Sequence, residues 1–460
     1  MHARPQPVNS ANWWWERSAN SGNSNNFCNV SSGGNADWNN ANNSNGVAPF
    51  GSTSMAERSS GSETTGGIQD NEMQGAATAG RTARNMSRHA DGAGTRRLVK
   101  GGPIVRFGEV FTFGHLYEAG QACCNGVRWK ASTQIFEARL PSWAAVAQDE
   151  LEAGTWKSSG FNRFTVNERG KTRNIQAVHI AERMVQKCLV RNCLRPLIVP
   201  RLITDSHATI PGHGTERAIA RLKEHLRWHY ARHGTEGYAV TMDYHDYFGM
   251  IDHAKLIEMY SRLPMDDRLL ALTAYLVNCF EGPRGLGLGS EISQISAVFY
   301  VSPVDHLAKD AMGVHCYGRY MDDSYAILPT RREAEELLDA VRLKSEELGL
   351  VLNDRMTSVR PLKRGFKYLK KKVGITESGK VLVRPLRESS VRERRRIKHN
   401  IEAVVAGEKT PEAERQSWES WKSHCLKLDA HRTVQEVGAY RLRLLEEAGL
   451  ADGAATHRPS

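Results

Sequence analysis

The residues with the clearest chemical potential are two adjacent carboxylates, Asp322 and Asp323, inside His315-Cys316-Tyr317-Gly318-Arg319-Tyr320-Met321-Asp322-Asp323-Ser324-Tyr325-Ala326-Ile327-Leu328. Runs rich in aromatic and aliphatic residues flank them, and Asp tolerates the backbone of a two-residue turn. The stretch is therefore predicted to be a β-hairpin with Asp322-Asp323 as its tight pair. An ordinary Asp-containing turn would account for that much. Both strands are apolar enough to be buried, however, and neighbouring carboxylates at such a tip repel each other unless a cation joins them. Hard divalent cations prefer carboxylate oxygens. Met265-Asp266-Asp267 repeats the dipeptide in another setting: Arg268-Leu269-Leu270-Ala271-Leu272 follows, and the pair reads as a helix start.

A third carboxylate stands upstream. Gly237-Tyr238-Ala239-Val240-Thr241-Met242-Asp243 alternates with the period of a strand and ends on an Asp, with Phe248 five residues later. Around these carboxylates lie a basic turn, Glu168-Arg169-Gly170-Lys171-Thr172-Arg173-Asn174-Ile175-Gln176, and a glycine-rich turn opening a helix, Gly285-Leu286-Gly287-Leu288-Gly289-Ser290-Glu291-Ile292-Ser293-Gln294. Asp205 to Thr215 holds His207, Gly212, His213 and Gly214; the two His are not at metal-ligand spacing with any carboxylate. Thr215 is expected to cap a helix with Ala218, Ile219, Leu222 and Leu226 on one face.

A strand-end Asp followed after some seventy to eighty residues by Tyr320-Met321-Asp322-Asp323 resembles the palm of reverse transcriptases. The resemblance spans roughly residues 100–450. It implies an α+β right-hand polymerase with fingers, an antiparallel palm and a helical thumb, acting as an RNA-directed DNA polymerase on template RNA, RNA/DNA hybrid and dNTPs. It puts Asp243 at the first metal position and Asp322 at the second, bridging two Mg²⁺ ions about 3.5–4 Å apart, with Asp323 tuning the site. One ion would activate the primer 3′-hydroxyl and the other would hold the triphosphate. Phe248 would exclude the ribose 2′-hydroxyl, and Lys171 and Arg173 would grip the triphosphate, Arg173 the better through its fork.

Most reverse transcriptases read QGxxxSP where this chain reads Leu288-Gly289-x-x-x-Ser293-Gln294. The LGxxxSQ form resembles the enzymes of diversity-generating retroelements. It implies that Leu288 replaces an amide contacting the nascent base pair and that Gln294 replaces Pro, restoring a backbone donor. Met356 stands where the family carries a Lys thought to protonate pyrophosphate; Arg355 or Lys363 are the candidate substitutes. Gly365-Phe366-Lys367-Tyr368-Leu369 resembles the primer-grip hairpin.

The 460 residues carry a net charge of +11, and residues 360–398 alone hold fifteen Lys/Arg against three Asp/Glu. A solvated face is one reading of that run. A groove for nucleic-acid backbone is the reading preferred here, with Arg394, Arg395 and Arg396 as the binding residues. The eight Cys form no CxxC pair, which predicts buried free thiols in a reducing, cytoplasmic setting, and no stretch has the length and apolarity of a membrane span.

The expected domains follow in order. Residues 1–50 hold thirteen Asn between Asn9 and Asn45, plus Trp13-Trp14-Trp15. They read as a disordered tail, as a small sugar- or partner-binding segment, or, by resemblance to the variable segment of a retroelement's target protein, as an adenine-rich template repeat read in frame. Residues 51–97 are predicted to be a disordered linker with the working enzyme beginning near Met86, residues 98–385 fingers and palm, residues 386–450 a three-helix thumb, and residues 451–460 a disordered tail. Two other functions stay open: a retron-like or antiviral-defence reverse transcriptase, and a non-catalytic nucleic-acid binder on a polymerase palm. A small basic accessory protein is a further expected partner.

Overall fold

The computed structural model describes residues 103–168 and 171–450, and beyond them only Asn29–Val30 paired antiparallel with Ala36–Asp37. The expectations for residues 1–50, 51–97 and 451–460 otherwise lie outside the described residues.

The first layer is helical. Thr112 caps Phe113–Cys124 (α1) by accepting from the His115 amide at 3.2 Å. Ala131–Ala138 (α2) and Leu140–Ala153 (α3) follow, the latter closed by Gly154 at φ +71°. They bury Leu116, Ala119, Phe136, Leu140, Ala144 and Leu151 in the main core. Phe161–Glu168 (β1) and Lys171–Val178 (β2) then form an antiparallel hairpin registered from Phe161↔Val178 to Glu168↔Lys171.

His179 caps Ile180–Leu189 (α4) by accepting from the Ala181 amide at 3.3 Å, and the helical run continues past Pro196. A π turn at Val190–Leu194 follows, and helix resumes at Arg195–Ile198 with Pro196 in its first turn. Thr215–His233 (α5) buries Ala218, Ile219, Leu222 and Leu226 as predicted, yet Thr215 is its first residue and not its cap; Gly214 makes the entry.

Tyr238–Met242 (β3) is the centre of a four-stranded antiparallel sheet. After His253–Ser261 (α6), Asp267–Asn278 (α7) and Glu291–Tyr300 (α8) come Tyr317–Tyr320 (β4), Asp323–Leu328 (β5), Arg331–Glu347 (α9) and Ser358–Pro361 (β6). The strand order is β4-β5-β3-β6. Alternation along these strands splits the interior in two. Val240, Met242, Ala326 and Leu328 join Ala334, Leu337 and Val341 of α9 in the main core. Ala239, Tyr325, Ile327 and Cys316 join α5 in a second core. The capping box of Thr330 and Glu333 starts α9, and Asp266 caps α7 by accepting from the Leu269 amide, so Met265-Asp266-Asp267 is the helix start its sequence indicated.

Phe366–Tyr368 (β7), Lys371–Ile375 (β8) and Val381–Pro385 (β9) make a small antiparallel sheet that completes the second core. Arg387–Val405 (α10), Pro411–Leu426 (α11) and His431–Glu447 (α12) form a three-helix unit around Ile397, Ile401, Trp418, Val434, Val437 and Leu445. A buried Arg441–Glu414 pair, 2.6 Å between Nη2 and Oε2, ties α12 to α11. The fold is thus mixed α+β. The seven described cysteines are free thiols, all buried except the half-buried Cys279. Among the described residues no helix is long and apolar enough to cross a membrane.

Candidate active site

Strand pairing brings the three carboxylates to one edge of the central sheet. Met242 on β3 and Ser324 on β5 are the last pair of their ladder, so Asp243 and Asp323 hold the two positions just beyond it. Across the hairpin Tyr320 pairs with Asp323. The two-residue turn is therefore Met321-Asp322, with Met321 in the left-handed region at φ +59°, and Asp323 opens β5 instead of sharing the turn. The expected tight pair is off by one residue. The cause lies beneath the turn, where the Met321 carbonyl is held by a buried donor.

That donor is Arg319, which has no solvent exposure. Its Nη1 donates to the Met321 carbonyl at 2.9 Å, its Nη2 to the Val298 carbonyl at 3.0 Å and to Asp305 Oδ2 at 2.6 Å, and its Nε to Asp305 Oδ1 at 2.8 Å. Asp305 also accepts from the Tyr317 hydroxyl at 2.8 Å. A buried charge pair of this kind is tolerable because each of its polar groups is satisfied. Gly318 beside it admits no side chain: a Cβ there would lie 2.8 Å from the Tyr325 hydroxyl.

Asp243 is held from the other side. Its backbone N–H donates to Thr357 Oγ1 at 3.4 Å, its carbonyl accepts from the Asn353 amide at 2.8 Å, and its Oδ2 accepts from Asn353 Nδ2 at 3.4 Å. Asp323 Oδ2 accepts from the Leu369 N–H at 2.9 Å. Leu369 and Lys370 both have positive φ, +47° and +58°, in the turn joining β7 to β8. That backbone is uncommon for non-glycine residues and aims an amide at the carboxylate.

Burial pushes the Asp323 carboxyl up to about 7, and the charges of Asp322 and Asp243 push the same way against the Leu369 hydrogen bond and the Lys370 ammonium. The three acids therefore share one electrostatic site. Among the described residues, no three His, Cys, Asp or Glu side chains are grouped so as to hold an ion by themselves. The donors here are nevertheless all carboxylate oxygens. Mg²⁺ is typically held by one or two carboxylates with substrate phosphates and water, so the residues present fit that ion.

The remaining predicted residues fall on several other elements. Phe248 is half-buried in the short helix Tyr247–Met250, and its carbonyl accepts from the Leu286 amide at 2.8 Å. The Leu288 carbonyl accepts from the Gln176 amide of β2 at 3.0 Å. These bonds link the β1–β2 hairpin through the glycine-rich turn to the sheet. Arg173 is half-buried on β2, two residues before Ile175, which bridges Leu288. Lys171 opens β2, and its side chain lies outside the description. Gln294 is half-buried in the first half of α8, whose start is tied to α4 by the Ser290–Gln186 hydrogen bond at 2.6 Å and by a Lys187–Glu291 ion pair.

Lys363 is occupied by Glu236 at 2.5 Å, whereas Met356 and Arg355 are exposed in the turn after Asn353. His207 and His213 pack against each other with Nδ1 atoms 3.4 Å apart and belong to no ligand group among the described residues. Of the three arginines on α10, Arg394 and Arg395 are exposed, but Arg396 turns inward to Glu393 at 2.8 Å and the Ser417 carbonyl at 2.9 Å. The sequence did not flag Arg319, Asp305, Asn353, Thr357 or Leu369. Arg319 left one trace, a charged residue in an otherwise apolar strand.

A mixed α+β domain with an acidic edge on an antiparallel sheet is the class this geometry defines. A family model described as reverse transcriptase (RNA-dependent DNA polymerase) matches residues 158–370, which contain the central sheet and all three carboxylates. Those residues, just under half of the chain, are similar to a reverse transcriptase domain. No curated protein sequence matches the chain. Among solved structures, one of telomerase from Candida albicans in complex with a TWJ fragment of telomeric RNA is similar at 11% identity and a TM-score of 0.40, covering 64% of this chain and 61% of that one. The chain thus spans about three fifths of that relative's length, and a likeness at this level bears on neither substrate nor partner.

Proposed function

We propose that this polymerase copies a template-repeat RNA into cDNA with errors biased to adenines, as the enzyme of a diversity-generating retroelement. The observation supporting the catalytic part is the convergence of Asp243, Asp322 and Asp323 on one sheet edge, close enough to raise the Asp323 pKa. Asp243 and Asp322 would hold Mg²⁺ and Asp323 would tune the site. Bound there, the metal supplies activation of the primer hydroxyl and charge neutralisation at the triphosphate. The chain's own groups orient the carboxylates: Asn353 and Thr357 for Asp243, Leu369 for Asp323, and Arg319 through the turn for Asp322. Arg173 and Lys171 would bind the triphosphate, Phe248 would exclude the 2′-hydroxyl, and the β1–β2 hairpin, central sheet and α10–α12 would serve as fingers, palm and thumb. Arg394 and Arg395 would meet the phosphates of the hybrid.

The adenine bias rests on Leu288 and Gln294 in the LGxxxSQ form. An apolar Leu288 offers no hydrogen bond to the nascent pair, so selection there leans on shape. Primer extension on an RNA template of mixed composition with dNTPs and Mg²⁺, followed by sequencing of the cDNA, tests both parts. Extension with errors concentrated opposite adenine is expected. Errors spread evenly over the four template bases would remove the retroelement reading and leave the polymerase.

A further inference from the structure

Asp243 stands at the point where β3 leaves the central sheet. Beyond Met242 its backbone no longer pairs with β5 or β6. The segment after α9 takes over instead: the His245 amide donates to the Val351 carbonyl at 2.8 Å, Tyr244 bridges Leu352, and the Asn353 amide donates to the Asp243 carbonyl at 2.8 Å. Thr357 completes the enclosure by accepting from the Asp243 amide at 3.4 Å. Both backbone groups of Asp243 are thus satisfied by one five-residue turn, 353–357.

The Asn353 side chain is committed at both ends. Its Oδ1 accepts from the Arg355 amide at 3.2 Å and its Nδ2 donates to Asp243 Oδ2 at 3.4 Å. The first bond fixes which end of the amide is oxygen, so the end facing Asp243 is the donor. The turn is closed on itself as well, since the Met356 and Thr357 amides both donate to the Asn353 carbonyl, at 3.0 and 2.8 Å.

We infer that Asn353 and Thr357 are positioning residues for Asp243: Asn353 holds one carboxylate oxygen and so sets the orientation in which the carboxylate meets the metal, and Thr357 fixes the backbone from which it projects. Groups that orient a ligand in this way commonly matter about 10–100-fold to metal affinity. The inference rests on Asp243 being a metal ligand.

The test measures metal binding without turnover. Full-length protein is assembled with an RNA template, a dideoxy-terminated DNA primer and the matching dNTP, and Mn²⁺ is titrated as a paramagnetic probe. Asn353→Ala and Thr357→Val should each weaken Mn²⁺ binding roughly tenfold or more, while Thr357→Ser, which keeps the hydroxyl, stays near wild type. Thermal unfolding midpoints of all variants report the fold. Unchanged Mn²⁺ affinity in Asn353→Ala and Thr357→Val overturns the inference. So does equal weakening in Thr357→Ser and Thr357→Val, or weakening that simply tracks a fallen midpoint, since either assigns the turn a scaffold role only. A wild-type complex that binds no Mn²⁺ overturns the carboxylate site itself, which is a separate and visible failure.

Discussion

Arg319 donates from a fully buried guanidinium to the carbonyl of Met321, the left-handed residue of the turn that carries Asp322. The charge that makes this possible comes from Asp305, bound through two oxygens. The geometry of the half-buried turn that carries Asp322 is therefore set from the core.

Breaking that pair should cost stability first. Arg319→Met leaves Asp305 buried and uncompensated, a situation worth about 3–5 kcal/mol. Adding Asp305→Leu removes the orphaned charge and should restore much of the unfolding midpoint. The turn would still lack its donor, so kcat of the double variant should remain well below wild type. Recovery of both midpoint and kcat would show that Arg319 has no part in shaping the turn.

The carboxylates themselves give the plainest outcome. Asp322→Asn keeps the side chain's shape and removes its charge. It should abolish Mg²⁺-dependent extension while RNA binding, measured by filter retention or anisotropy, stays close to wild type. Extension at the wild-type rate would remove Asp322 from the chemistry.

Much of this was legible in the sequence. The period-two run ending on Asp243, the hairpin carrying Asp322 and Asp323, the helix start at Asp266 and the three terminal helices all come from local pattern, and each is present. The errors are where long-range packing decides. Asp323 sits in the strand and not the turn because Arg319 and Asp305 hold Met321 from below, through bonds that run into the core. Asn353 and Leu369 reach Asp243 and Asp323 from 110 and 46 positions away, and no local spacing announces them. Arg396 looked equivalent to its two neighbours, but helical periodicity turns it toward Glu393 and Ser417.

That difference among the arginines is measurable. Arg394→Ala with Arg395→Ala should weaken template binding and flatten its dependence on salt, since every phosphate left without its arginine keeps its counterion on binding. Arg396→Ala should instead lower the unfolding midpoint and leave the salt slope near wild type, because its guanidinium bonds within the three-helix unit. A greater flattening of the slope by Arg396→Ala than by the double variant would reverse the assignment.

Two buried histidines make stability depend on pH. Burial pushes His225 down to about 3 and His207 down to about 4, His207 also feeling His213. Asp205 opposes the shift at His225, while Lys309, Arg221 and His315 reinforce it; the Tyr325 hydroxyl lies 2.9 Å from its Nδ1. In the unfolded chain both titrate near about 6.5. Between about 6.5 and 4 the unfolded state therefore binds more protons, and stability falls as pH drops through that window. Above it their contribution is complete. Urea midpoints from pH 7.5 to 5 should decline, and His225→Phe should flatten part of the decline. Asp323, raised to about 7, takes up its proton in the same range and works the other way, so the deciding comparison is between wild type and His225→Phe: an identical pH dependence in the two would mean that the His225 imidazole gains its proton without penalty.

The last prediction concerns fidelity. Leu288 is anchored by its carbonyl to the Gln176 amide, and the adjoining turn is confined: a Cβ at Gly287 would lie 2.4 Å from Gln176 Oε1. The backbone at 288 is thus fixed independently of the side chain. Leu288→Gln should then change what the position offers, an amide in place of a methyl fork, without moving the turn. One restored hydrogen bond is worth about 0.5–1.5 kcal/mol, or roughly a factor of two to ten in selectivity. Sequenced cDNA from this variant should show fewer errors opposite adenine by about that factor, with errors opposite the other three bases little changed. A uniform drop at all four bases would point to general tightening of the site. No change at adenine would place the source of the bias elsewhere in the enzyme or with a partner.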